Sequence, residues 1–111
     1  MLRFKPEVRI SDCDERIVVV LREACLWSLR TRVDVEINSV EDGGGVHMAG
    51  SLHGVGLAVD VDTVGDRAPD TEALGEWFRR RLPASYDVVF EGDHVHVEYD
   101  VHRAPLLKRP T

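Results

Sequence analysis

Two stretches of this sequence carry side chains whose types and spacing suit hydrolytic metal chemistry. They are Ser51-Leu52-His53-Gly54-Val55-Gly56-Leu57-Ala58-Val59-Asp60 and Glu91-Gly92-Asp93-His94-Val95-His96. Zinc in a catalytic site takes three nitrogen or oxygen ligands and keeps a fourth position for water. His53, Asp60 and one histidine of the His-x-His supply that count. Such a metal lowers the pKa of its bound water towards about 7. A neighbouring carboxylate then takes the water proton and hands it to a leaving amine, and the other imidazole hydrogen-bonds the oxyanion. Spacing alone leaves Asp93 and Glu91 both open as that base. Ser51 has no base placed for it, so it reads as a residue that orients the loop or a ligand and not as a nucleophile. Glu98 and Asp62 read as supports that hydrogen-bond the ligands from behind. His47 reads as an exposed loop residue.

The elements that must position these groups follow from hydrophobic period. From Asp14 to about Arg30, Ile17, Val18, Leu21, Ala24, Cys25 and Leu26 recur at three and four, which predicts one amphipathic helix. Ser11 with Asp14 three positions on resembles a capping box, Asp standing where Glu or Gln is usual. Val33 to Asn38 alternates strictly and predicts a half-buried strand. Glu41-Asp42-Gly43-Gly44-Gly45 breaks it, and Leu57 to Asp62 alternates again. Gly65 to Asp70, with Pro69, reads as a connector. Asp70 or Thr71 is expected to cap a second helix running to about Leu82, ended by Pro83. Tyr86 to Glu91 and His94 to Asp100 predict a hairpin joined by Gly92-Asp93. Residues 1–10 read as an extended lead-in and the segment from Arg103 as a loose tail around one domain spanning 1–111.

That order predicts an α+β domain, a small, mainly antiparallel sheet with two helices on one face. Side chains alternate between the faces of a strand. With Leu57, Val59, Val61, Val95 and Val97 packed under the helices, Asp60, His94 and His96 all point to the uncovered face. His53, on the turn just before, can fold back over it. Trp27, Trp77 and Phe78 read as core, and Arg79-Arg80-Arg81 as positive charge complementing a helix C-terminus.

Composition narrows the class. At 111 residues with 43% hydrophobic and 31% charged residues, the chain has the make-up of one globular domain. A net charge of −6 with interspersed signs lacks the clustered positive footprint of a nucleic-acid binder. No apolar run approaches the roughly 18 residues of a membrane span. Arg3, Lys5, Glu7 and Arg9 leave no apolar signal-peptide core, so synthesis in the cytoplasm without a Sec signal is expected. Cys13 and Cys25 stand roughly 18 Å apart along an ideal helix, too far for a disulfide.

At the residues quoted first, the sequence resembles a known group. Ser-x-His-x-x-Gly-x-Ala-x-Asp followed downstream by His-x-His is similar to the signature of the zinc D-Ala-D-Ala carboxypeptidases and dipeptidases. Phage L-alanyl-D-glutamate endopeptidases and the hedgehog signalling domain share their fold. The block Val88 to Tyr99 resembles small phage members in particular, and the likeness covers roughly residues 30–100. It implies Zn2+ on His53, Asp60 and His96, with His94 stabilising the intermediate. It also implies a base three positions before the last ligand, which is Asp93, with Glu91 second. Were His94 the ligand instead, Glu91 would hold the three-residue offset.

The resemblance further implies hydrolysis of peptidoglycan, at a stem or cross-link bond, by a phage or prophage enzyme. Such an enzyme reaches the wall by phage-assisted release or as part of a virion. Carboxypeptidase members place an arginine upstream of the first motif to hold a terminal carboxylate. Asn38-Ser39-Val40-Glu41-Asp42 has none here, which favours cleavage within a stem peptide. The alternative is a non-catalytic, zinc-stabilised structural or wall-binding protein, such as a phage-particle component with phage structural proteins as partners. A cupin-type oxygenase fits less well, because Glu98 follows the His-x-His by two residues instead of three or four.

Overall fold

The computed structural model describes residues 1–8, 14–42, 57–65 and 68–100. The elements run β1 (Leu2–Phe4), α1 (Glu15–Thr31), β2 (Val35–Asp42), β3 (Leu57–Thr63), α2 (Ala68–Arg81), β4 (Tyr86–Phe90) and β5 (Val95–Tyr99). The strands form one sheet in the order β1-β2-β3-β5-β4, which makes β3 its middle strand. β2, β3, β5 and β4 pair antiparallel, and β1 lies parallel to β2. This is the expected α+β class, with a mixed sheet.

Alternation sorts the strands as anticipated. Val35, Ile37, Leu57, Val59, Val61, Val95 and Val97 are all buried to within 1% exposure, so the helix-covered face is dry. Ile17, Val20, Ala24 and Trp27 of α1 and Leu74 and Phe78 of α2 close over it in a single cluster. The helices are tied to each other as well. Trp77 donates its indole N–H to the Glu23 carbonyl at 3.0 Å, and Arg81 meets the buried Glu23 carboxylate at 2.9 Å. Arg81 and Arg30 also lie over the Trp77 ring. Two residues of the Arg79–Arg81 run therefore have specific partners beyond a helix dipole, since Arg79 pairs with Glu76 and reaches the Val88 carbonyl.

Four local expectations change. The lead-in is a strand, because Leu2 and Phe4 pack against the core while Arg3 points away, a three-residue alternation. The cap of α1 is Asp14 itself, whose carboxylate accepts the Arg16 N–H at 2.8 Å. Ser11 lies outside the described residues. α2 begins at Ala68, before the expected cap, because proline is tolerated in a first helical turn where its missing N–H would have no partner. Thr71 is no cap but is buried, its hydroxyl 2.7 Å from that of Thr63. The fourth change is in β2, where the pairing with β3 slips between Ile37 and Ser39. Cys25 is a free thiol, and Cys13, Gly43 to Gly45, His47 and the tail from Arg103 lie outside the described residues. No described helix is long and apolar enough to cross a membrane.

Candidate metal and catalytic site

Alternation and register deliver the polar groups to the sheet face that the helices leave open. Val59 and Val61 of β3 go inward, so Asp60 between them faces out. Val95 and Val97 do the same for His96 on β5. Asp60 and His96 are directly opposed in the β3–β5 ladder. Their side chains meet, His96 Nδ1 lying 2.7 Å from Asp60 Oδ1. On the other side of the ring, His96 Nε2 contacts Glu98 Oε1 at 3.1 Å. An ionised carboxylate only accepts hydrogen bonds, so a ring with both nitrogens on carboxylates donates twice and is an imidazolium. Burial acts against that charge on His96 and is the largest single influence. The bonds to Asp60 and Glu98, with the negative charges of those two groups, outweigh it and hold the pKa above the ordinary histidine value.

His94 is held within its own hairpin. Its Nδ1 lies 2.6 Å from Asp93 Oδ1 and its Nε2 2.9 Å from Glu91 Oε1. The hydrogen bond to Asp93 is the main reason its pKa is raised, with the charges of Asp60, Asp93 and Glu91 adding to it. The same bond pulls the Asp93 carboxyl below its usual range. The turn that arranges this is closed by the Glu91 N–H on the His94 carbonyl at 2.8 Å. Gly92, at φ +94°, takes the first central position in a region that favours glycine, and Asp93 keeps a negative φ.

The structure thus brings together Asp60 and His96, with Glu98 behind the ring, and separately Asp93, His94 and Glu91. Glu98 stands where support for a ligand was expected. Ser51 and His53 lie outside the described residues. Among the described residues no group of three His, Cys, Asp or Glu side chains is arranged to hold a metal ion. As a donor pair, Asp60 and His96 are of the right chemistry. Two donors on one tetrahedral zinc stand about 3.3 Å apart for bonds of about 2.0–2.1 Å, so the 2.7 Å hydrogen bond between Asp60 and His96 would have to open slightly to admit the ion. Both side chains are 32% exposed, so an ion or substrate can reach them.

One neighbour is absent from the sequence-based expectations. Ser39 donates its hydroxyl to Asp60 Oδ2 at 3.1 Å. A signal for it exists, since the alternation of Val35 to Ile37, carried on without a break, puts Ser39 inward and Val40 outward. A serine inward and a valine outward is the wrong way round for a half-buried strand, and it marks a slip. No family model and no curated protein matches the chain.

Proposed function

We propose that the chain is a zinc-dependent peptidase hydrolysing peptide bonds of bacterial peptidoglycan, with the metal on His53, Asp60 and His96 and the hedgehog-type fold of the D-Ala-D-Ala peptidases. The observation that carries this reading is the Asp60–His96 contact. Two residues 36 apart in sequence, each picked out by the motif as a ligand, stand side by side on the open face of the middle strand and its neighbour.

Zinc bound there supplies hydroxide near neutral pH and draws electron density from the scissile carbonyl. Asp60 and His96 present an oxygen and a nitrogen to it, which requires the His96 ring to give up a proton. Asp93 is exposed, and as the base its carboxylate would take a proton from the attacking water and pass it to the nitrogen of the departing amine. The His94 bond lowers its pKa and so weakens it as a base while that bond lasts. His94 donates a ring N–H to the oxygen that gains charge as the carbonyl carbon becomes tetrahedral. For this one nitrogen must turn away from its hairpin carboxylate, Nε2 from Glu91 or Nδ1 from Asp93. Glu91 is the second candidate for the base. A stem peptide held within its length, and not by a terminal carboxylate, suits a strand without arginine at 38–42.

A second reading keeps the ligands and drops the catalysis: a zinc-stabilised wall-binding protein or phage-particle component. The engagement of both candidate bases with His94 favours it. Incubation of the zinc-loaded protein with purified peptidoglycan, followed by titration of new amino groups, separates the two. Release by the native chain is expected, falling by about 100-fold or more in Asp93→Ala with zinc retained. Stoichiometric zinc with no amino groups released from any wall type overturns the peptidase and leaves the binding protein. A chain that takes up no zinc overturns both.

A further inference from the structure

The slip in β2 changes what Asp60 can do. Ile37 pairs with Val61 and Ser39 with Asp60, so β2 advances two residues where β3 advances one. Asn38 is the additional residue of a β-bulge, a device that re-aims the side chains after it. Beyond it Val40 pairs with Val59 on the helix-covered face, and Ser39 shares the open face with Asp60. The Asn38 side-chain oxygen is left buried with no hydrogen-bond partner among the described residues.

The consequence of the bulge is that the two oxygens of Asp60 are divided between neighbouring strands. Oδ2 takes the Ser39 hydroxyl of β2 at 3.1 Å, and Oδ1 takes the His96 ring of β5 at 2.7 Å. A carboxylate held from both sides has its plane fixed. Ser39 itself is no nucleophile, because its partner is a weakly basic carboxylate and the nearest partnered ring nitrogen is already on the far oxygen.

We infer that Ser39 is a positioning residue: turned onto the open face by the bulge at Asn38, its hydroxyl holds Asp60 Oδ2 and commits Oδ1 as the oxygen offered to a metal beside His96. This rests on the zinc reading of the site. Partners behind a metal ligand typically change affinity by about 10–100-fold when removed.

The test has two arms. Zinc affinity is measured by chelator competition for the native chain, Ser39→Ala and Ser39→Thr. The Asp60 carboxyl carbon shift is measured by NMR in the zinc-free proteins. Ser39→Ala is expected to bind zinc about tenfold or more weakly at an unchanged melting temperature, with Ser39→Thr close to native. In the zinc-free arm, Ser39→Ala moves the Asp60 signal and Ser39→Thr restores it. Native zinc binding with an unweakened Ser39→Ala overturns the inference and spares the zinc reading. A native chain that takes up no zinc sinks that reading, and the inference as a metal-positioning role with it. An Asp60 signal indifferent to Ser39→Ala overturns the inference whatever the zinc result.

Discussion

His94 and His96 stand two residues apart, and each has both ring nitrogens on carboxylates, yet they are held in opposite ways. His94 is served by Glu91 and Asp93, both within three residues of it in one hairpin. His96 reaches Asp60 across 36 residues of chain, through the β3–β5 ladder. The first arrangement needs only a correct turn. The second needs two strands, distant in sequence, in register and a covered face to fix which way each residue points. On the proposed reading, the histidine tied to the assembled sheet is the metal ligand, which must be held rigidly. One tied to its own turn can exchange partners at little cost to the fold, which on the same reading suits a group that moves protons or follows a developing charge.

The largest expected effect tests that division directly. Asp60→Ala and His96→Ala should each weaken zinc binding by more than the roughly 10–100-fold typical of losing a partner behind a ligand. His94→Ala should stay within about tenfold of native while peptidoglycan hydrolysis falls. Chelator competition on the three variants reads the first, amino-group release the second. Equal losses of zinc from His94→Ala and His96→Ala would abolish the distinction. They would also move the candidate base to Glu91, which stands three residues before His94.

A smaller effect isolates the turn. Gly92 sits at φ +94°, and an added Cβ there would meet nothing within 4 Å, so any cost of substitution is in the backbone alone. Forcing an L residue into that region costs about 1–2 kcal/mol. Gly92→Ala should therefore lower the unfolding free energy by about that amount in a urea titration. It should also shift the ring-nitrogen signals of His94 and leave those of His96 in place. Movement of both rings together would show that the two pairs form one unit. D-alanine at the same position, introduced by synthesis, should remove the penalty.

The same contrast between local and long-range contacts explains what is legible in the sequence. The spacing of Ile17, Val18, Leu21, Ala24, Cys25 and Leu26 needs no partner to be read as a helix. It misjudges the face in part, since Val18 is exposed and Val20 is buried against the sheet. The valines of β3 and β5 fix their own inward face. From these, Asp60 and His96 follow on the open face by alternation. The bulge at Asn38 follows only in part. Ser39 inward and Val40 outward signal that the alternation slips, but the pairing with β3 alone fixes where, and the Ser39–Asp60 contact is hidden until it does. β1 is hidden because a strand of three residues has almost no period, and Leu2-Arg3-Phe4 becomes a strand only where β2 offers it an edge. Pro69 reads as part of a connector, although the first turn of a helix accepts it. Asp14 reads as half of a capping box, when aspartate alone is among the better caps.

That cap supplies the smallest effect, and a second local carboxylate to set beside Asp93. Asp14 accepts the Arg16 backbone N–H and also takes its guanidinium at 2.8 and 2.9 Å, so charge and cap are joined in one side chain. The side-chain bond from Arg16, followed by the backbone bond, lowers its pKa from 3.8 to about 2. Asp14→Ala should cost about 1 kcal/mol at neutral pH, read from urea midpoints. Because the folded-state pKa is depressed, the charged form's contribution is fully present above the unfolded value and disappears as pH falls through the folded one. The native lead over Asp14→Ala should thus be constant above about pH 5 and shrink as the pH is taken down to about 2. Asp14→Asn keeps the accepting oxygen without the charge, so it should hold most of the cap and lose none of it in acid. If the native chain and the Asp14→Asn variant respond to acid alike, the charge on Asp14 adds nothing to the cap, and short-range carboxylate contacts in this fold act as hydrogen bonds and not as ion pairs.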